Sequence, residues 1–455
     1  MDAVHVNNGA LTDIVIVGNL CRDVVLVLPS FPREDGDIRI TARSTMVGGN
    51  AANASIVLGQ LIPSDNASHV RLVATLGDPE SCSDTAACIR ALGEAGIDAS
   101  ASVHVSGAAL PVSTVLICSD TGSRTILSHR SMRDLTPDDC SVDDVCCSAR
   151  AVHVEHRNTA TAMRWLRAAR AANCPVVSVE LEKLRGSAAT TASLVPAEVL
   201  DATHLCDVVV LGHDYCTAAA RHDWGDAVWQ ASATEECPLQ PPRNASCVAN
   251  GKCPHRAALR LLAAAATAAS SSRRALVVVP WGADGVLAAV PAGAGACEGV
   301  CCGGDQACLR CVREWEVASS CVAETMRTPT ATLLASAAYP EGVSGLIYGA
   351  HGGKQETRCP GYILVHQPAV PCATVVDTRG AGDTFTAALL FAVIRAGTLS
   401  AANAAAALAF AATVASAKVG VHGLDSVGAQ PLVVMALSAL QHVCSPAERS
   451  LLGES

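Results

Sequence analysis

The chain has 455 residues, 32 of them Lys or Arg and 42 Asp or Glu, for a formal net charge of −10. Half of the residues are hydrophobic and only 3% are aromatic. That excludes global disorder and argues against a nucleic-acid partner, whose affinity needs basic side chains against phosphate and rings against bases. The length suits two or three domains, or one large α/β domain with insertions.

Residues 1–12 lack the basic n-region and apolar core of a secretory leader, and no apolar run reaches bilayer length. The Ala-rich stretches near 257–269 and 401–417, interrupted by Arg260 and by Asn403 and Ser416, read as packed helices. The expectation is a cytosolic protein with no membrane partner. Its 22 cysteines are then expected to be mostly free thiols, with Cys21, Cys88, Cys118 and Cys206 serving as small buried hydrophobes.

Strands are predicted at Asp13–Val17, Val24–Leu28, Val112–Ile117, Arg124–Leu127, Ala151–Glu155, Val176–Glu180, Asp207–Leu211, Ala275–Val279 and Val286–Val290. Helical spacing separates several of them, as at 159–172. The nearly continuous apolar runs at 207–211 and 275–279 have the pattern of parallel strands covered on both faces. Alternating β and α segments predict an α/β fold: a doubly wound sheet with right-handed crossovers. The runs at 22–28, 37–41 and 112–127 have no such alternation and predict a small separate sheet. Residues 223–254 and 292–370 show no stable period and read as surface insertions. No internal repeat is apparent.

The strongest chemical signal is Val375-Val376-Asp377-Thr378-Arg379-Gly380-Ala381-Gly382-Asp383-Thr384-Phe385. A glycine-rich turn runs into a helix whose apolar positions Phe385, Ala388, Leu389, Ala392 and Val393 fall on one face. Free N–H groups at such a helix start form an anion site. A carboxylate beside that site, Asp383, suits a general base that takes a proton from a hydroxyl attacking phosphate. Alone, the turn would serve equally as a structural αL turn with Asp383 as N-cap. Near the other end stands Gly48-Gly49-Asn50-Ala51-Ala52-Asn53-Ala54, ahead of a helix.

Together, in this order, the two strings resemble the paired signatures of the PfkB (ribokinase-like) carbohydrate kinases. Residues 31–39, 122–126, 153–158 and 177–183 are similar to the ketohexokinase branch of that family. The resemblance covers about 13–222, 257–291 and 371–430. It implies a ribokinase-like βαβ sandwich over 13–430, with a small β lid from about 22–45 and 108–130. The segments at 223–254 and 292–370 are insertions, and 431–455 is a C-terminal helix or tail.

It also implies ATP-dependent phosphorylation of a sugar, a ketohexose such as fructose yielding the 1-phosphate. Ribose or a nucleoside as acceptor, or a non-catalytic nucleotide- or sugar-binding member, are the alternatives. Asp383 becomes the catalytic base, with Gly380, Ala381 and Gly382 as the anion hole. Asp23, Asp35, Gly49, Asn50 and Asn53 hold the sugar. Arg124, Gly282, Ala283, Asp284, Gly285, Val419 and Gly420 hold ATP, and Glu155, Asn158, Glu180 and Lys183 border the phosphate and magnesium region. Outside that context Asp23 is a surface carboxylate, Arg124 a solvated hairpin charge and Trp281–Gly285 a hairpin turn. The implied cofactors are Mg²⁺ with ATP and a monovalent cation such as K⁺, and a homodimer through the lid is the implied assembly.

Two departures from the family pattern put the sugar's identity in question. Leu211-Gly212-His213-Asp214 stands where ribokinases carry Asn-x-x-Glu, and His156 replaces a glycine of the ketohexokinase-like segment. Cys297, Cys301, Cys308 and Cys311, with Cys321 beyond, form a zinc-candidate set through one CxxC pair, set against a cysteine-rich loop without fixed role. Asn244-Ala245-Ser246 is a glycosylation sequon by pattern alone, which a cytosolic chain would not use.

Overall fold

The computed structural model describes residues 13–63, 69–121, 123–183, 197–218, 258, 262, 275–291, 319–320, 322–324, 328–329, 332–333 and 362–443. The cysteine set at 297–321, the sequon at Asn244 and the insertion at 223–254 lie outside the described residues. The chain divides into two compact units, Met1–Val154 with Ala160–Pro175, and Glu155–Thr159 with Val176–Ser455.

The first unit opens with β1 (Asp13–Val17), buried along its whole length. There follow β2 (Cys21–Leu28), β3 (Ala42–Gly48), α1 (Asn50–Leu61), β4 (His69–Val73), β5 (Thr75–Leu76), α2 (Ser83–Glu94), β6 (Ile97–Asp98) and β7 (Val103–His104). Then come β8 (Val112–Cys118), β9 (Arg124–His129), α3 (Val142–Cys147), β10 (Ala149–Glu155) and α4 (Thr159–Ala171). β1 pairs in parallel with β10 on one side and β4 on the other, and β6 extends β4. The all-apolar burial of β1 is what a parallel strand covered on both faces requires.

A second sheet of this unit has the order β3-β2-β8-β9, the separate small sheet expected from the sequence. Its strands differ from expectation in two places. β2 begins at Cys21 rather than Val24, because Arg22 N–H bonds Pro111 O at 2.8 Å and Arg22 pairs with Val47 and Val112. The strand expected at 37–41 is instead β3, starting at Ala42. Asp35 turns the chain with φ 56°, Gly36 N–H closes on Arg33 O at 3.0 Å, and pairing resumes only where Thr41 N–H reaches Val27 O. β9 is exposed throughout, including Ile126 and Leu127.

The second unit contains β11 (Val176–Leu181), α5 (Ala197–Leu205), β12 (Val208–Leu211), β13 (Leu276–Pro280), β14 (Val286–Pro291), β15 (Thr332–Leu333) and β16 (Tyr362–Gln367). It ends with α6 (Ala381–Ala396), α7 (Ala401–Val419) and α8 (Pro431–Val443). β11, β12 and β13 are parallel, whereas β14, β16 and β15 continue the sheet antiparallel. In this unit the expected doubly wound winding thus runs through β11, β12 and β13 and ends in an antiparallel edge.

Two sequence expectations are corrected here. Residues 362–367 belong to the sheet rather than to an insertion. β16 pairs with β14 from Val286↔Gln367 to Pro291↔Tyr362, and Leu364 and Val365 are buried. The helix after the glycine turn is not one-sided either, since every residue from Thr384 to Ile394 is buried. α7 is long and apolar enough to cross a membrane, but most of it is buried within this unit, where Phe410 lies 5.8 Å from Phe391 of α6. Its alanines let the two helices pack closely, and Ser400 caps it by accepting from Asn403 N–H at 3.2 Å. Among the described residues the free cysteines include Cys21, Cys88, Cys118 and Cys206, all buried as expected.

The turn joining β13 to β14 depends on Gly285, whose φ is +92° and whose Cβ, if present, would stand 2.2 Å from Gln367 O. Gly285→Ala should therefore lower the thermal midpoint, with roughly 1–3 kcal/mol lost to conformation alone and more to the collision with β16. An unchanged unfolding free energy in denaturant titration would contradict this account of the turn.

Candidate active site

In the first unit the Gly48–Asn50 turn is built by close approach. β3 delivers Gly48 opposite Cys21 of β2, and a Cβ on Gly48 would lie 2.3 Å from the Asp23 carboxylate. Gly49 has φ +100° and backs onto Asn19 O, where a Cβ would sit 2.4 Å away. No side chain could occupy either position without moving its neighbour. Ala52 N–H donates to Asn19 O at 3.3 Å and Asn53 N–H to Gly49 O at 2.9 Å, so α1 starts directly from the turn. Asn50 and Asn53 are half-buried in its first turn.

Asp23 lies within β2, not ahead of it, and is half-buried. The Cys21 thiol donates to Asp23 Oδ1 at 3.4 Å. Burial above all, and the Asp23 charge, push that thiol well above its ordinary range, so it remains a donor. Arg130 donates to the Asn19 side chain and pairs with Asp134, bracing the same turn from β9's end. The sequence reading missed Asn19 and Arg130, because nothing local marks a residue that supports a turn from more than a hundred positions away. Asp35 is exposed in its own turn, and Arg124 stands on exposed β9 opposite Ile117. The structure thus places Asp23, Gly49, Asn50 and Asn53 together, with Asp35 and Arg124 elsewhere in the same unit.

The second unit holds the remaining expected residues. α6 starts from Gly380, which sits in the N-cap position with φ 67° and no side-chain cap. Asp383 is therefore not the N-cap. It is the third helical residue, half-buried in the first turn. The first intrahelical bond is Thr384 N–H to Gly380 O at 2.8 Å, so the N–H groups of Gly382 and Asp383 precede the ladder. Nothing lies within 4 Å of where a Gly382 Cβ would be. A helix start with a half-positive end and open space above it fits an anion such as a nucleotide phosphate.

Behind this turn a charged cluster is sealed in. The Asp377 carboxylate accepts from Arg379 Nε at 2.8 Å, Arg379 Nη2 at 2.7 Å, the Arg379 backbone N–H at 3.0 Å and Gly423 N–H at 3.1 Å. Lys418 Nζ is 3.5 Å from the same carboxylate. Burial alone would raise the Asp377 carboxyl, but these donors and cations outweigh it and hold the group well below the usual carboxylate range. Val376 and Asp377 N–H both donate to Val419 O, at 2.8 and 3.1 Å, which ties Val419–Gly420, expected to hold ATP, to the stretch that leads into the expected anion hole. Arg379 is committed to Asp377 through its guanidinium and its backbone N–H. Asp377 and Lys418 were missed as functional supports.

A second carboxylate group contains Glu180 at the end of β11. Burial, then the charges of Asp383, Glu155 and Glu182, push Glu180 well above its ordinary range. Glu155 is buried and paired with Arg157 at 3.2 Å. His156 is buried, bonded to Thr159 Oγ1 at 3.1 Å, with its N–H donating to Glu180 O. Asn158 is exposed, and Lys183 pairs with Glu182 at 3.5 Å. The 3₁₀ turn Gly282–Asp284 connects β13 and β14, with exposed Gly282 and Ala283, buried Asp284 and no atom within 4 Å of a Gly282 Cβ. His366 bonds Asp284 O at 2.6 Å, and His213 packs edge-on against Trp281 with centroids 4.5 Å apart.

Residues 361–429 match the pfkB family carbohydrate kinase model. Mouse ketohexokinase is 27% identical over 180 residues, covering 38% of this chain and 57% of the relative's own length. Among solved structures, ribokinase from Giardia lamblia superposes with TM-score 0.57 at 15% identity, covering 94% of this chain and 99% of the other. Arabidopsis thaliana ribokinase complexed with ribose and ATP gives 0.52 at 17%, covering 94% and 98%. Fructokinase from Xylella fastidiosa with bound ATP gives 0.52 at 16%, covering 95% and 99%. Residues 361–429 are thus similar to the pfkB family carbohydrate kinases, and the chain has a ribokinase-like α/β fold.

Glu180 sets a testable pH response. Its folded-state carboxyl titrates above its unfolded value, so its contribution is full below the unfolded value and is lost as pH rises through the folded one. Glu180→Gln keeps the size and stays neutral. Its melting temperature relative to wild type should therefore climb as pH goes from about 5 to about 9. A constant difference across that range would show that Glu180 is charged throughout.

Proposed function

We propose that this protein is an ATP-dependent sugar kinase acting on a ketohexose such as fructose and forming the 1-phosphate. The observation that carries the reading is Asp383, a half-buried carboxylate beside an uncapped helix start with open space above Gly382. A base next to an anion cradle has a use when a hydroxyl must lose its proton as it attacks a phosphoryl group.

In this reading Asp383 takes the proton from the sugar hydroxyl. The N–H groups at the start of α6 stabilise charge on the transferring phosphoryl oxygens and need no reorganisation as it develops. Asp23, Asn50 and Asn53 orient the sugar through hydroxyl hydrogen bonds, with Asp35 as a further acceptor. Arg124, the Gly282–Gly285 turn and Val419–Gly420 bind ATP. The ketohexose assignment rests on the motif resemblance and the mouse ketohexokinase match. Ribose or a nucleoside as acceptor is the alternative to be separated by assay.

The oxygen donors near Asp383 suit magnesium, a hard cation. Among the described residues no group of three or more His, Cys, Asp or Glu side chains could hold a metal ion. Mg²⁺ would accordingly be held chiefly by the nucleotide phosphates and water, with Glu180 and Glu155 bordering it, and would supply charge neutralisation at the phosphates. The same reading includes K⁺ as monovalent activator and a homodimer through the four-stranded sheet, where β9 exposes Ile126 and Leu127.

The deciding experiment is ADP release measured with fructose, ribose, adenosine or buffer alone. Fructose-dependent release with formation of the 1-phosphate is expected. Release with ribose or adenosine alone would move the substrate, and none with any acceptor would leave a non-catalytic binder. Asp383→Asn should cut turnover roughly 10²–10⁴-fold, the usual worth of general-base assistance, while ATP and sugar still bind. Gly48→Ala should push the Asp23 carboxylate aside and raise the sugar KM with little change in the ATP KM. Equal effects on both substrates would remove Asp23 from the sugar site.

A further inference from the structure

Lys418 is among the largest side chains with no solvent exposure. Burying an ammonium is costly unless it is paired and hydrogen-bonded, and here it is both. Its Nζ donates to Asp377 O at 2.9 Å, approaches Val421 O at 3.5 Å, and lies 3.5 Å from the Asp377 carboxylate. The two carbonyls belong to different stretches of chain. Asp377 leads into the Thr378–Gly380 turn and so to Asp383. Val421 follows Val419 and Gly420 at the end of α7, where Lys418 itself lies in the last turn.

Three further bonds join the same stretches. Val376 and Asp377 N–H meet Val419 O, and Gly423 N–H meets the Asp377 carboxylate. The phosphoryl-binding turn and the base-binding loop therefore share one anchored seam. Lys418 is its centre, bonded to the backbone on both sides. If charge balance were its sole purpose, Arg379 already supplies a guanidinium to Asp377 with two side-chain bonds. What the lysine adds is the tie between Asp377 O and Val421 O.

Resting on the kinase reading, we infer that Lys418 is a positioning residue. It registers the loop that holds the nucleotide base against the turn that presents Asp383 and the α6 N–H groups. It touches neither ATP nor sugar. Its loss lets the turn drift relative to the bound nucleotide, and a displacement of about 1 Å at a reacting centre costs roughly 10²-fold in rate.

The test compares wild type, Lys418→Met, Lys418→Arg and the double variant Asp377→Asn/Lys418→Met. Turnover, the KM for ATP and for sugar, and melting temperature are measured for each, with kinetics taken well below the lowest midpoint. Lys418→Met is expected to lower kcat roughly 100-fold and raise the ATP KM, leaving the sugar KM unchanged. Lys418→Arg, which keeps cation and donors, should recover most of the turnover. The double variant should remain slow, because removing the Asp377 charge does not restore the tie.

Folded Lys418→Met with kcat within ~3-fold of wild type overturns the inference. So does recovery in the double variant, which would make Lys418 a counter-ion only. If Lys418→Met does not fold, the double variant, with one charge of each sign removed, carries the comparison. Wild type lacking turnover with every sugar fails the kinase reading itself, and that is seen before any variant is read.

Discussion

The second unit is governed by a conflict at one helix. α6 is buried from Thr384 to Ile394, yet its first turn has to stay open at the N-terminal end if its N–H groups are to meet an anion. The start of α6 has no side-chain cap and Gly382 there is exposed, so its first N–H groups are left to solvent or a ligand. The chain resolves this by fixing the turn from behind. Asp377 is gripped by Arg379, Lys418 and Gly423, and its backbone by Val419 O. The front of the turn is glycine, so it stays clear of side chains.

The first unit solves a related problem with close packing in place of charge. Gly48 and Gly49 let β3 turn directly into α1 while Asp23 and the Asn19 carbonyl press in from behind. A carboxylate and two asparagines then stand on a backbone that cannot shift without collision. Hydroxyl recognition depends on such fixed geometry, since a polar group that loses its partner in a closed site costs about 1–3 kcal/mol. The two devices share a logic: the ligand-facing side is small and open, and the constraint comes from the residues behind it.

Much of this was legible in the sequence. The apolar runs placed β1 and β10 to β14 within a few residues, because burial on both faces leaves a continuous hydrophobic signature. The glycine-rich strings marked both turns, because only glycine tolerates the approach distances found at Gly48 and Gly49. β16 was not legible. YILVHQ is a short apolar run amid Gly- and Cys-rich sequence, and its partner β14 lies some seventy residues upstream. Nor was the all-round burial of α6, since an Ala- and Leu-rich helix satisfies a one-sided pattern and a complete one alike. Lys418 and Asp377 were invisible for a different reason. A lone Lys near the end of an Ala-rich helix reads as a solvated C-terminal charge, and only the fold shows the carboxylate and carbonyls waiting for it.

Asp377 and Glu180, both buried in this unit, are driven in opposite directions, and that divides their work. Asp377 has cations and N–H donors around it and stays ionised, so its stabilising contribution is present above its unfolded value and is lost only as acid titrates the folded group. Burial first, and then the carboxylates around it, push Glu180 above its ordinary range, so its contribution runs the other way and fades as pH rises. An ionised anchor suits a structural joint, because a change of charge there would release the turn. A carboxyl that ionises reluctantly suits the edge of a phosphate site. It adds little repulsion toward an incoming polyanion, and a divalent cation arriving with the nucleotide would favour its ionised form. The unit thus biases one carboxyl toward its charged form and the other toward its neutral form.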